Sequence, residues 1–226
     1  MSTREQSGIN LARQFLQWSV FSVELDIGCG FGHFLFRKAS LDPSQLIIGI
    51  DMNERTCRAT QRDLNFLSLR NACVVRYECL DFLRIETPPA RICGIHVYFP
   101  TPSPQLDGLT TRLLDSVFEQ EAYRVLMREG TIRIVTDDRH YFEQCLRVFR
   151  NSRWKRVDWS TPIEPEGVVA TSCEWIYRAL GSEIYYCEFV KVQIDHSTEI
   201  VNDSTTIQIE STATALDEKP EDNTTP

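Results

Sequence analysis

Glycines and two carboxylates stand at the ends of two apolar segments in the first quarter of this chain. The first segment leads into Asp26-Ile-Gly-Cys-Gly-Phe-Gly32, and the second, Leu46-Ile-Ile-Gly-Ile50, ends at Asp51. Glycine lets the backbone turn sharply and approach a ligand closely, because it has no Cβ. A carboxylate about 20 residues after such a turn is placed to accept both hydrogen bonds of a ribose diol. The pattern therefore predicts a nucleoside-binding site at the carboxyl ends of two adjacent parallel strands.

The spacing of the glycines narrows the class of ligand. A dinucleotide-binding turn reads G-x-G-x-x-G and holds a pyrophosphate, whereas Gly28, Gly30 and Gly32 follow G-x-G-x-G. Asp26 would repel a pyrophosphate, but it suits a cationic or zwitterionic ligand. S-adenosylmethionine (SAM) has a sulfonium, an ammonium and no phosphate, and the pattern resembles motif I of the Rossmann-like SAM-dependent methyltransferases. The alternative is a glycine-rich turn without a ligand, which leaves Asp26 and Asp51 unexplained.

Strands and helices alternate along the chain. After a leading helix over 9–18, further helices are predicted over 33–41, 54–68, 109–128 and 138–150. Buried strands are predicted near 23–27, 46–50, 73–77, 93–99 and 131–135, and late antiparallel strands at 157–159 and 183–190. This order predicts an α/β fold, a Rossmann-like and mostly parallel seven-stranded sheet with helices on both faces.

Further polar residues follow the other predicted parallel strands. Asp81 comes after the third strand, Phe99-Pro-Thr-Pro102 ends the fourth, and Thr136-Asp137 ends the fifth. Ligands of an open parallel sheet bind outside the carboxyl ends of its strands. We therefore expect these groups to share one edge of the sheet with the glycine turn.

The chain has 226 residues, of which 42% are hydrophobic, and this fits one domain with a good core plus a tail. Residues 195–226 contain eight acidic residues, one lysine and no aromatic residue, so they hold most of the net charge of −8. Such a segment cannot bury enough apolar surface to offset its ordering entropy. We expect a nearly neutral folded domain over 1–194 and a disordered acidic tail over 195–226.

The cysteines and the apolar runs together indicate the cellular compartment of the protein. The eight cysteines form no C-x-x-C pair and have no histidine at metal-ligand spacing, so we expect reduced thiols and no metal site. The apolar runs are too short to cross a bilayer, and the N-terminus has no export signal. A cytoplasmic protein with no membrane partner is expected.

Taken together, the motifs over residues 23–190 resemble those of the bacterial tRNA (guanine-N7)-methyltransferases. In chain order they are Asp26 to Gly32, Gly49-Ile-Asp51, Asp81, Val97-Tyr-Phe-Pro-Thr-Pro102 with Arg112, Ile134-Val-Thr-Asp137 with Tyr141, and Thr171-Ser-Cys-Glu174. The resemblance implies methyl transfer from SAM to guanine N7 in the variable loop of tRNA. The later motifs are more specific than motif I, which many SAM-dependent methyltransferases share.

One motif departs from the family pattern, which is Phe-Pro-Asp-Pro-Trp followed by lysine and histidine. Thr101 stands at the position of the aspartate, Ser103 at that of the tryptophan and Gln105 at that of the lysine. Arg112 alone remains of the basic run that follows. The departures leave two alternatives open: a SAM-dependent methyltransferase of another RNA or a small molecule, and a SAM-binding subunit without catalysis.

The resemblance also implies roles for single residues. Asp26, Gly28, Gly30, Gly32 and Asp51 would bind SAM, and Asp81 would contact its adenine, although Asp81 could instead cap a short helix. Asp137 and Thr101 would be the catalytic residues, and Asp137 could instead cap the next helix. Gln105, Arg112, Asp137, Thr171 and Glu174 would bind the substrate.

A dense basic cluster lies between 147 and 156. Its members are Arg147, Arg150, Arg153, Lys155 and Arg156. They could meet RNA phosphates, or they could only complement the dipole at a helix C-terminus. The sequence leaves both interpretations open.

Overall fold

The computed structural model describes residues 3–18, 21–100, 103–104, 110–111, 113–157 and 171–193. The predictions for Thr101, Gln105 and Arg112, and for the acidic tail over 195–226, fall outside these residues.

A seven-stranded sheet forms the centre of the fold, in the order β3-β2-β1-β4-β7-β9-β8. Its strands are β1 (Val23–Ile27), β2 (Leu46–Asp51), β3 (Ala72–Arg76), β4 (Ile92–Tyr98), β7 (Leu126–Thr136), β8 (Trp154–Val157) and β9 (Tyr185–Lys191). The first five in this order are parallel, and β9 is antiparallel to both β7 and β8. Two short strands, β5 (Ser103–Pro104) and β6 (Thr110–Thr111), pair separately. The predicted fold class is confirmed.

Helices connect these strands: α1 (Thr3–Gln17), α2 (His33–Leu41), α3 (Glu54–Phe66), α4 (Cys79–Asp81), α5 (Ser116–Val125), α6 (Arg139–Val148) and α7 (Ser172–Ala179). A π-helical turn over Phe82–Glu86 continues α4. Side-chain caps fix several helix starts, because their oxygens accept the first free N–H groups. These caps are Asn53 for α3, Asp115 for α5, Asp138 for α6 and Thr171 for α7.

Alternate residues of the central strands pack on opposite faces of the sheet. In β2, Ile48 and Ile50 contribute to one hydrophobic cluster, which also contains Phe15 of α1 and Phe118 of α5. Ile47 contributes to the other cluster, with residues of α2 and α3. Both faces are therefore covered, as a parallel sheet requires.

Several predicted elements have wrong boundaries, and the leading helix, predicted over 9–18, is α1 and already begins at Thr3. Within the described residues, the helix predicted over 109–128 is observed as α5, because the Asp115 side chain caps Val117 and Phe118 and Leu126 is already extended. Leu126 begins β7, so that strand is longer than the predicted 131–135. The strand predicted at 157–159 is observed at Trp154–Val157, and 158–159 lie outside the described residues.

A polar network is buried between β1, β4 and α2. The Glu24 carboxylate lies 2.8 Å from His96 Nε2 and 3.2 Å from Lys38 Nζ, and His96 Nδ1 lies 2.9 Å from the Tyr98 hydroxyl. Burial opposes ionisation, but the contacts with His96 and Lys38 outweigh it and lower the pKa of Glu24 to about 2. Burial lowers the pKa of His96. A neutral His96 that donates from Nε2 and accepts at Nδ1 satisfies both neighbours.

No helix in the described part of the chain is long and apolar enough to cross a membrane. Within the same residues, no group of three or more histidine, cysteine or acidic side chains is arranged to hold a metal ion. The eight cysteines all lie in described segments, and no disulfide joins them.

Candidate functional site

The glycine turn joins β1 to α2 in a conformation that other residues adopt only with strain. Gly28, Gly30 and Gly32 have φ angles of 73°, 53° and 75°, in the left-handed region that glycine enters freely. The N–H groups of Gly28 and Cys29 both donate to the Ile50 carbonyl, at 2.8 and 3.1 Å. The turn is therefore attached to the last residues of β2.

Asp51 at the end of β2 fixes the middle of this turn. One oxygen of its carboxylate accepts the Gly30 N–H at 2.9 Å, and the other accepts the Asn53 N–H at 2.7 Å. Thr60 of α3 donates its hydroxyl to the Gly30 carbonyl at 3.0 Å. Thr60 could not be predicted from the sequence, since an isolated threonine in a helix carries no distinguishing pattern.

Gly32 begins α2 at a position without room for a side chain. A Cβ there would lie 2.6 Å from Thr60 Cγ2 and 2.9 Å from Phe36 Cζ. We expect Gly32→Ala to lower the free energy of unfolding by about 2–4 kcal/mol, since both the backbone strain and the overlap oppose it. Chemical denaturation measures the effect. Gly181→Ala is the control, because Gly181 has a φ of +73° with nothing within 4 Å of the added carbon. An equal loss in both variants would contradict the steric contribution.

Asp26 is a buried carboxylate with an unsatisfied oxygen. The residue is 3% exposed, and its Oδ2 has no hydrogen-bond partner among the described residues. Burial, with the nearby Asp51 charge, raises the pKa of Asp26 to about 8. A buried acceptor without a donor is costly, so this position favours a ligand that brings a cation or an N–H donor.

Asp81 lies after β3 with an exposed side chain. The capping alternative for this residue is wrong, because the Glu78 side chain caps α4 by accepting the Asp81 N–H at 2.8 Å. Asp81 makes no side-chain capping bond to the following π-helical turn either. Its carboxylate is therefore available at the carboxyl edge of the sheet, and adenine contact stays a prediction.

Asp137 follows β7 and also has an exposed side chain. It does not cap α6, because Asp138 accepts the Tyr141 N–H at 2.9 Å and Thr136 accepts the Asp138 N–H at 3.1 Å. Asp137 lies close enough to α7 to act on its groups. After burial, its charge is the next cause that raises the pKa of Cys173 and of Tyr177.

Thr171 and Glu174 both belong to the start of α7. The Thr171 hydroxyl accepts the Glu174 N–H at 3.1 Å, so Thr171 is a helix cap. The Glu174 side chain is fully buried, and its Oε1 accepts bonds from Arg178 at 2.8 and 3.0 Å and from the Tyr186 hydroxyl at 2.6 Å. Its Oε2 has no partner among the described residues. Arg178 and Tyr186 were missed from the sequence, since only the packing of α7 on β9 makes them neighbours.

The candidate residues thus form two groups at the carboxyl edge of the sheet. On one side, a hydrogen bond joins the glycine turn to Asp51, and Asp26 lies close enough for the Asp51 charge to raise its pKa. Asp137 lies beside α7 with Thr171 and Glu174 on the other. Phe99, at the end of β4, links β7 and α7, because its N–H donates to the Val135 carbonyl at 2.7 Å and its ring lies 5.2 Å from that of Tyr177. Its φ of 50° is strained for a non-glycine residue.

Residues 21–187 match a family model described as "Putative methyltransferase". A tRNA (guanine-N(7)-)-methyltransferase of Rubrobacter xylanophilus is 27% identical over 175 residues, which cover 75% of this chain and 76% of that protein.

Two solved structures have a similar fold. The aminoglycoside resistance methyltransferase NpmB1 superposes with a TM-score of 0.55 at 18% identity, covering 81% of this chain and 93% of its own. A Streptococcus mutans protein in complex with SAH gives a TM-score of 0.52 at 12% identity, covering 82% of this chain and 98% of its own.

Proposed function

The chain belongs to the methyltransferase family whose model it matches over 21–187, and from that premise we propose that it transfers a methyl group from SAM to guanine N7 in tRNA. The order of the motifs and the Rubrobacter relative support this substrate. The observation that carries the proposal is the pair of carboxylates around the glycine turn, of which Asp26 has an unsatisfied buried oxygen.

The residues present fit SAM. Asp51 is held at the end of β2 by two backbone N–H groups, where it would accept the ribose hydroxyls, and Asp81 would face the adenine. Asp26 would pair with the positively charged ammonium, which would give its buried and unsatisfied oxygen a partner. When bound, SAM supplies an electrophilic methyl group on a sulfonium.

The substrate side would bind and orient guanine. N7 has a free lone pair and needs no prior deprotonation, so positioning contributes most of the rate. Asp137 and Glu174 are the carboxylates that would accept the guanine N1–H and 2-amino group and stabilise the cationic product. Thr101 and Gln105 would offer only uncharged contacts, and Arg112 a cation for phosphate. A cytoplasmic enzyme follows from a tRNA substrate.

The decisive experiment is methyl transfer from labelled SAM to unmodified tRNA, with the product nucleoside identified by mass. We expect N7-methylguanosine. SAM binding with transfer to a small molecule or another RNA would replace the proposed substrate, and SAM binding without any transfer would indicate a non-catalytic subunit.

Thr101→Asp restores the carboxylate of the family pattern. We expect it to raise kcat/KM for tRNA by about tenfold, as one added charge interaction with the cationic base would contribute about 1.4 kcal/mol. Thr101→Asn is the matched control of similar size without the charge. An equal gain in both variants would mean that the added charge is not the cause.

A further inference from the structure

A cleft of about 510 Å³ lies at the β3 edge of the sheet, between α1 and α3. Hydrogen-bond donors dominate its polar lining, which includes Ser7, Arg58, Gln61, Arg62, Asn65 and Arg76. Glu54 is the acidic residue of the lining and Asp63 pairs with Arg62 beside it, so three arginines face two carboxylates. The cleft therefore has a positive charge and suits an anionic ligand.

The ion pairs of Arg58 and Arg62 are exposed, so another anion can replace their carboxylate partners. Arg58 pairs with Glu54, and Arg62 pairs with Asp63 at 2.8 Å, while the two guanidinium side chains are 68% and 75% exposed. Exposed pairs of this kind contribute little to stability. A phosphate can therefore take over their donors at small cost.

The cleft lies next to the candidate site. Arg76 is the register partner of Asp51 in the adjacent strand, and its Nε donates to the Met52 carbonyl at 3.2 Å. The helix α3 starts three residues after Asp51, so Arg58 and Arg62 lie one and two turns down from the carboxyl edge. An RNA strand that reaches this edge of the sheet from the β3 side would place its phosphates in the cleft.

The basic cluster noted in the sequence lies at the opposite end of the sheet. Trp154 pairs with Lys191, and Lys191 ends the strand whose other end, Tyr185, pairs with Thr136 at the carboxyl edge. Arg150 and Arg153 precede Trp154, and Arg147 lies in the last turn of α6, which runs away from Asp137. This cluster is therefore far from the candidate site.

We infer that the α1–α3 cleft binds backbone phosphates of the substrate RNA through Arg58, Arg62 and Arg76. The inference rests on the proposed function and adds a binding surface to it. Since Arg76 also touches the segment after Asp51, the test uses Arg58 and Arg62, which lie farther from the SAM residues.

The test is a salt titration of tRNA binding by the full chain. For Arg58→Gln/Arg62→Gln we expect the plot of the logarithm of the tRNA association constant against the logarithm of salt concentration to become less steep by about two units of slope. The affinity near 0.1 M salt should fall about tenfold or more. SAM affinity should stay unchanged. Arg147→Gln/Arg150→Gln removes the same charge from exposed positions of the other cluster and should leave the slope unchanged. Gln61→Glu, which adds a negative charge to the cleft lining, should weaken tRNA binding as well.

The outcomes separate the cleft from the proposed reaction. An unchanged slope in the cleft variants, or an equal fall in the control, overturns the inference even if the wild-type protein methylates tRNA. Failure to methylate tRNA, with a slope that still depends on Arg58 and Arg62, overturns the proposed reaction and leaves the RNA-binding cleft in place. A wild-type protein that binds no tRNA overturns both.

Discussion

Asp26→Asn is expected to raise the free energy of unfolding of the unliganded protein by about 4 kcal/mol at pH 7. The pKa of Asp26 is about 8 in the folded protein, because of burial and the nearby Asp51 charge, against about 4 in an unfolded chain. Between pH 4 and pH 8 the Asp26 carboxyl is protonated in the folded state and ionised in the unfolded state. The free energy of unfolding therefore falls as the pH rises through this range. Asparagine has the same shape and does not titrate.

Denaturation from pH 4 to pH 9 measures this effect. The stability difference between Asp26→Asn and the wild type should be near zero at pH 4 and grow by about 1.4 kcal/mol per pH unit up to pH 8. Asn65→Ala, at an exposed position of α3 without a titratable group, should give a small and flat difference. A flat difference for Asp26→Asn would contradict the raised pKa.

The same substitution should weaken SAM binding. In the wild type, SAM affinity should rise between pH 6 and 8, because a cation binds better to ionised Asp26. Asp26→Asn should remove this pH dependence and lower the affinity about tenfold or more at pH 8. The Asp26→Asn variant should thus be more stable than the wild type and bind SAM less tightly. This combination is expected where a buried group lowers stability but is needed to bind the ligand.

Asp51→Ala is expected to lower SAM affinity by about 100-fold. Two charge-assisted hydrogen bonds to the ribose would be lost, together about 3 kcal/mol. The Gly30 and Asn53 N–H groups would also lose their acceptor. Isothermal titration with SAM measures the change.

A control must separate the lost ribose contact from a disturbed turn. Thr60→Val removes the hydrogen bond to the Gly30 carbonyl but leaves Asp51 in place. We expect it to lower SAM affinity no more than about fivefold, as one neutral hydrogen bond is worth about 1 kcal/mol. Equal losses in both variants would mean that Asp51 acts only on the shape of the turn.

The glycine turn and Asp51 could be predicted because local sequence decides them. Glycines at alternate positions after an apolar strand require a turn, and parallel strands bring their carboxyl ends to one edge. The contact between Gly30 and Asp51 follows from that rule. The sequence also predicted the sheet correctly, since buried parallel strands are continuous apolar runs.

Contacts that depend on packing could not be predicted. Glu174 meets Tyr186 only because α7 packs on β9, and His96 meets Glu24 only because β4 lies beside β1 in a fixed register. The start of α5 was missed because Asp115 is one of several residues there able to cap a helix. The choice between Asp137 and Asp138 as the cap of α6 likewise needed the backbone geometry.

The close approach of α1 to β3 at Gly8 has a consequence for solubility. A Cβ at Gly8 would lie 2.6 Å from the Val74 carbonyl oxygen, so the helix backbone itself covers this strand. In the described part of the chain, β3 is the outer strand at one end of the sheet, and β8 at the other end presents exposed Lys155 and Arg156. Uncovered outer strands invite pairing with another molecule, and a covering helix or charged side chains prevent it. The helix backbone at β3 and the charged side chains at β8 thus both hinder these outer strands from pairing with strands of neighbouring molecules, which would lead to aggregation.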